Sequence, residues 1–173
     1  FNGQPGAIRK MIVIEGMDNS GKSTLAVQMA EYMELIVQES EGPPKSDKEI
    51  NARVDRYEKM TDRLFVRHPC ISNAIYGQVR AEGNPITDGR TMLFYDARPT
   101  LIYCDAGQRG LGSHVEKAHD TKKHLKDIED NYNKLLYLYR QWAAEHAHFV
   151  YRIGDDVEQL IATVYFYEQY KKA

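Results

Sequence analysis

The stretch Met11-Ile12-Val13-Ile14-Glu15-Gly16-Met17-Asp18-Asn19-Ser20-Gly21-Lys22-Ser23-Thr24 decides the fold. Its first five residues form a short apolar run without alternation, which suits a strand buried on both faces of a parallel sheet, and Gly16 stops it. Beyond Gly21, residues Leu25, Ala26, Met29, Ala30 and Met33 recur at helical spacing and form one apolar stripe. Between strand and helix, Gly16 to Ser23 fits G-x-x-x-x-G-K-[ST] in full. Glycines let such a loop wrap round a polyphosphate while successive N–H groups and the helix N-terminus face its oxygens. Lys22, expected as an exposed loop lysine, should reach the β and γ phosphates, and Ser23 should place its hydroxyl on Mg²⁺. Gly16, Asn19, Ser20, Gly21, Lys22, Ser23 and Thr24 are the expected nucleotide-binding set.

Outward from this stretch, strand and helix patterns alternate. Leu35-Ile36-Val37 reads as a second strand, and Glu41-Gly42-Pro43-Pro44 as a turn into a polar helix from Ser46 to Met60. Leu64-Phe65-Val66 reads as a third strand, Ile71 to Glu82 as a short helix and Thr100 to Cys104 as a fourth strand. Gly107 to Thr121 has three glycines and little apolar periodicity, which predicts a mobile surface segment. Leu125, Ile128, Tyr132, Leu135, Leu136, Tyr139, Trp142 and Ala143 mark a long amphipathic helix, His148 to Ile153 a fifth strand, and Val157, Leu160, Ile161 and Val164 a closing helix. The alternation predicts an α/β fold with a five-stranded parallel sheet. With no repeat or linker in view, residues 11–173 are expected to be a single domain. Residues 1–10 are set aside as a leader or remnant.

The 173 residues suffice for a real core without a disulfide or metal staple. Hydrophobic residues at 42% and charged residues at 28% exclude a disordered chain. A formal charge of −2 gives no global field for nucleic acid or an anionic membrane, so any bound anion must be held locally. No stretch approaches the ~20 apolar residues of a membrane span. Cys70 and Cys104 lack metal-ligand spacing and read as buried thiols of a cytoplasmic protein.

A nucleotide site does not name a reaction, since the same loop serves kinases, motor ATPases and switch GTPases. Asp105-Ala106-Gly107-Gln108 is one residue short of the D-x-x-G-Q element of a GTPase. Asn133-Lys134 lacks the aspartate of a guanine-reading N-K-x-D and sits inside the long helix. Both are read as coincidence.

Val13 to Leu25 resembles the opening of thymidylate kinases, V-I-E-G-x-D-G-x-G-K-S-T. Arg67 to Gln78 is similar to that family's D-R-[YFH]-x-x-S-x-x-A-Y-Q with one extra residue. Leu125 to Tyr132 is similar to its F-x-x-V-x-x-x-Y helix, and Arg152 to Asp156 to its closing I-D-A turn. The resemblance, of a viral or phage type, implies a three-layer α/β/α phosphate-loop kinase fold with a mobile lid segment. It implies transfer of the γ-phosphoryl of ATP, with Mg²⁺, to a deoxynucleoside monophosphate, dTMP favoured, and permits a homodimer. On the resemblance, Arg67 grips the acceptor phosphate, as a guanidinium fork suits that oxygen pair. Asp18 accepts from the acceptor's 3'-hydroxyl; His68, Ser72 and Tyr76 face the acceptor, and Arg80 is a further phosphate-binding arginine. Neutral Asn19 implies that the lid supplies a catalytic cation, Arg109 with Lys117 in reserve.

The chain also departs from the pattern. Val66 stands where the family has an aspartate, with Asp105 at the next strand end as the expected substitute. Glu39-Ser40-Glu41-Gly42 stands where it often has an arginine. A kinase for a nucleoside or polynucleotide 5'-hydroxyl, using Glu39 or Glu41 as base, therefore stays open, as does a nucleotide-dependent switch.

Overall fold

The computed structural model describes residues 10–108 and 122–172. The expected leader up to residue 9, Arg109, Lys117 and the rest of the glycine-bearing segment to Thr121 lie outside the described residues.

Strands β1 (Met11–Gly16), β2 (Ile36–Gln38), β3 (Arg63–Val66), β4 (Thr100–Cys104) and β5 (Phe149–Tyr151) form one sheet in the order β2-β3-β1-β4-β5. All four pairings are parallel, as expected. The helices are α1 (Lys22–Met33), α2 (Asp47–Glu58), α3 (Pro69–Tyr76), α4 (Asp88–Asp96), α5 (Lys122–His146) and α6 (Val157–Lys172).

Alternate strand residues feed two cores, which is why the central strand reads as an unbroken apolar run. Val13, Phe65, Leu101 and Tyr103 pack with Val54 of α2, Ile71 of α3, Phe94 of α4 and Tyr139 of α5. Ile12, Ile14, Leu64 and Ile102 pack with Leu25 and Met29 of α1 and with Ile161 and Val164 of α6. Three layers result, an α/β/α sandwich. The chain runs from β1 to one edge of the sheet and from β3 back across β1 to the other half. In open α/β sheets the crevice at the carboxyl ends of strands so connected is where ligands bind.

Local chemistry sets the helix starts. Ser46 Oγ accepts from the Glu49 N–H while Glu49 reaches back to the Lys45 N–H, a reciprocal cap that begins α2 at Asp47. Pro69 occupies the first turn of α3, and His68 Nδ1 accepts from the Cys70 N–H as its cap.

Three elements differ from the reading of the sequence. Helix α3 ends at Tyr76, because the turn at Gly83-Asn84 folds back onto Gly77, where a Cβ would stand 2.9 Å from the Gly83 carbonyl oxygen. Strand β5 is three residues long. Helix α4, capped by Thr87, went unread since Phe94 is its one buried residue and it presents no apolar stripe. Both cysteines are buried and free, and burial pushes each thiol up to about 12.

Candidate functional site

The loop between β1 and α1 is shaped by backbone that side chains would block. At Gly16 a Cβ would stand 2.4 Å from the Cys104 carbonyl oxygen of β4, so β1 and β4 approach as closely as they do only with glycine there. Gly21, with φ +88°, starts α1 without a side-chain cap, and a Cβ there would press on Ile153. Asn19 is also left-handed, with φ +61°. No acidic residue lies in the first turn of α1, so its N–H groups and dipole face the loop uncompensated, which favours an anion.

Lys22 is not the exposed lysine expected from its loop position. It is buried, and its ammonium folds back to donate to the Met17 carbonyl and, at 3.4 Å, to Ser20 Oγ. Ser20 Oγ itself donates to the same Met17 carbonyl at 2.7 Å. Burial, with the Arg67 charge adding to it, pushes the Lys22 ammonium down to about 8.

Beside the loop lies a cleft of about 630 Å³. Asp18, Asn19, Gly21, Lys22, Ser23 and Thr24 line one side; Arg67, His68, Ser72, Tyr76 and Arg80 line another. Residues 39–44, following β2, form a third wall. Eleven of the expected site residues thus line one crevice, with Gly16 and Ser20 shaping the loop beneath it, and Arg109 outside the described residues.

Arg67 follows β3 with φ +69°, a strained conformation for a non-glycine residue. Its own N–H donates to the Ile14 carbonyl at 2.9 Å, and the next N–H, of His68, donates to the Glu15 carboxylate at 2.9 Å. Held this way, the Arg67 guanidinium meets Asp18 at 2.9 Å and lies over the Tyr76 ring, 5.3 Å from its centroid. Arg80 lies over the same ring at 5.2 Å. Burial works against the Arg67 charge, but Tyr139, Tyr76, Glu15 and Asp18 outweigh it and hold the guanidinium charged. Two cations therefore flank one aromatic ring within the cleft.

His68 and Ser72 are occupied as well as placed. The His68 ring stacks on Phe94 at 4.2 Å, and burial pushes it down to about 3, so it is neutral. Ser72 Oγ donates to both Glu15 oxygens at 2.8 and 2.9 Å.

Glu15 and Arg53 are the residues whose part the sequence reading missed. Glu15, fully buried at the end of β1, accepts from Ser72, from the His68 N–H and from Tyr139 Oη, joining α3 and α5 to the loop. Burial raises its carboxyl, opposed by Arg67 and these donors. A charged residue inside an apolar strand run was the available signal. Arg53 shares the buried face of α2 with Ile50, Val54 and Tyr57; it donates to the Gly42 carbonyl at 2.7 Å and pairs with Glu49 at 2.8 Å, tethering the third wall.

Asp105, the expected substitute for an acid at Val66, does not line the cleft. Its carboxylate takes two bonds of 3.2 Å from Arg140 and one of 2.8 Å from the Gly107 N–H, with Arg152 at 3.6 Å. Burial would raise its carboxyl, but these partners hold it below the usual carboxylate range. It borders a smaller hollow with Arg152 and Ile153.

No family model matches the sequence, and no curated protein does. Solved structures do match. The YorR protein of Bacillus subtilis, in complex with phosphorylated GDP, superposes with a TM-score of 0.65 at 18% identity, covering 94% of this chain and 98% of that one. Thymidylate kinase from Ehrlichia chaffeensis gives 0.56 at 16% identity, covering 95% and 100%. Deoxyadenosine kinase from M. mycoides, with dCMP and dCDP bound, gives 0.55 at 15% identity, covering 92% and 98%. The chain has the fold of the phosphate-loop kinases. At these identities the likeness is one of fold, and what the site does rests on its residues. Among the described residues, no helix is long and apolar enough to cross a membrane.

Proposed function

We propose that this chain transfers the γ-phosphoryl of ATP to the phosphate of a deoxynucleoside monophosphate, dTMP favoured on the sequence resemblance. The observation that carries the proposal is the paired guanidinium of Arg67 and Arg80 on Tyr76, in the same cleft as Lys22 and the phosphate loop. A loop that gathers the donor's phosphates needs no second cationic cluster unless the acceptor is an anion too. Two anions must then be brought into line, and catalysis is chiefly positioning plus positive charge.

In this reading the loop N–H groups and Lys22 hold the donor's phosphates. Arg67 and Arg80 hold the acceptor phosphate, which would exchange with Asp18 for the Arg67 fork, and Asp18 turns to the sugar hydroxyl. Ser72 and Tyr76 border the acceptor, and Arg109 from the lid completes the charge on the transferring group. A bound Mg²⁺ would supply neutralisation of the charge on the donor's phosphates. Ser23, whose hydroxyl stands 3.4 Å from the Glu39 carboxylate oxygen Oε2, would help to hold it. A homodimer remains part of the proposal.

A second reading, phosphorylation of a hydroxyl, is favoured by Glu39 and Glu41 in the third wall, because a hydroxyl needs a base and a phosphate does not. Incubation with ATP, Mg²⁺ and panels of deoxynucleosides and their monophosphates separates the two. Diphosphate from a monophosphate is the expected product. Turnover of nucleosides alone would transfer the assignment to the second reading, and GTP hydrolysis without transfer would overturn both.

A further inference from the structure

Three carboxylates line the cleft within the described residues: Asp18, Glu39 and Glu41. Their partners differ. Asp18 faces the Arg67 guanidinium, and Glu41 takes a two-pronged pair from Arg56 at 2.9 and 3.1 Å, which holds its carboxyl below the usual range. Glu39 instead turns its Oε2 to the Ser23 hydroxyl, 3.4 Å away. Position 66, beside Arg67, is an apolar valine buried in the core, and Asp105 is held by two arginines outside the cleft.

A carboxylate beside a polyphosphate-binding loop repels the ligand unless a cation stands between them. The separation of Ser23 Oγ and Glu39 Oε2 is close to the ~3.0 Å edge that octahedral coordination at ~2.1 Å requires. Among the described residues, no three acidic, histidine or cysteine side chains converge as a cage. Magnesium does without one, taking one or two protein oxygens and completing its shell from phosphates and water.

We infer that Glu39, at the end of β2, is the carboxylate that acts with Ser23 in holding the divalent cation of the donor nucleotide, in place of an acid at position 66 or 105. The inference rests on the donor-nucleotide reading above and does not depend on which acceptor is used. It assigns the third wall to metal binding, with Arg53 and Arg56 fixing that wall to α2 through Gly42 and Glu41.

The test is binding, free of turnover. Mn²⁺ is titrated into the full chain with a non-hydrolysable ATP analogue and followed by electron paramagnetic resonance; nucleotide binding is measured separately in EDTA. Glu39→Gln should weaken Mn²⁺ binding at least tenfold while metal-free nucleotide binds as tightly as to the parent or tighter, since a repulsive charge has gone. Glu39→Asp should recover part of the metal affinity, and Ser23→Ala should lose it. Mn²⁺ affinity within twofold of the parent in Glu39→Gln overturns the inference, as does a loss that appears in Asp105→Asn instead. Lost transfer with metal affinity intact would make Glu39 a base and likewise overturn it. A parent chain that binds no nucleotide, with or without metal, overturns the donor reading itself.

Discussion

The Lys22 ammonium keeps its proton only up to about pH 8, because burial and the Arg67 charge both disfavour it. A phosphate anion beside it would reverse that balance, so nucleotide binding near pH 8 should take up a proton. The sign follows: affinity is flat below pH 8 and falls as pH rises through it, approaching tenfold per unit. Calorimetry in buffers of different ionisation enthalpy checks the uptake, and a pH-independent affinity between 7 and 9.5 would refute it. Lys22→Ala should weaken ATP binding at least tenfold, from the loss of hydrogen bonds to a charged group worth about 1.5–3 kcal/mol. Stability should change by under about 1 kcal/mol, since the lost bonds to Met17 and Ser20 are offset by removal of a desolvated charge. Arg67→Lys keeps a charge and loses the fork, so the acceptor's KM should rise about tenfold while the KM for ATP stays put. Equal loss for both nucleotides would place Arg67 on the donor side.

The meeting of β1 with β4, and of β1 with α3 and α5, holds the site in shape. Gly16 permits the first contact, and an added methyl meets the Cys104 carbonyl rather than a side chain that can swing away. Gly16→Ala should therefore destabilise by about 1–3 kcal/mol, seen as a lower denaturant midpoint at unchanged slope. Gly89 of α4 has open space around its Cβ position and no left-handed φ, so Gly89→Ala should stabilise by about 0.4–1 kcal/mol. Equal effects at the two glycines would refute the close-approach argument. The second contact runs through Glu15, and it shows what a sequence conveys of a site. The loop is legible because its residue types and spacing match a chemistry, whereas Arg67, Tyr76 and Arg80 are marked only by the resemblance to a kinase family. That Ser72 and the His68 N–H hold Glu15 depends on Arg67 turning left-handed after β3, and no residue type announces that turn. Likewise Asp105 reads as a free acid until α5 and the segment after β5 bring Arg140 and Arg152 onto it.

Periodicity conveyed the strand count, the parallel sheet and the long helix α5, because each of the central strands β1, β3 and β4 serves two cores and each long helix one. It failed at α4, where burial rests on a single phenylalanine, and at the end of α3, where Gly83 and Asn84 return to contact Gly77. The two cores share every central strand, Val13 and Phe65 facing one and Ile12, Ile14 and Leu64 facing the other. Neither helical layer can leave without exposing the reverse of strands the other layer needs. On that ground residues 11–173 are proposed to unfold as one unit. Trp142, the single tryptophan, lies in the core of α2 to α5, packed on Tyr103 and donating to Tyr95 at 2.9 Å, so its fluorescence reports that layer alone. Far-UV circular dichroism reports α1 and α6 as well. The fluorescence and dichroism transitions in urea should coincide in midpoint and slope. Saturating ATP analogue with Mg²⁺ should shift both together, by about 2.7 kcal/mol at a hundredfold excess over Kd. Two separated midpoints, with only one moved by nucleotide, would divide the sheet's two helical layers into independent units and refute the single-unit proposal.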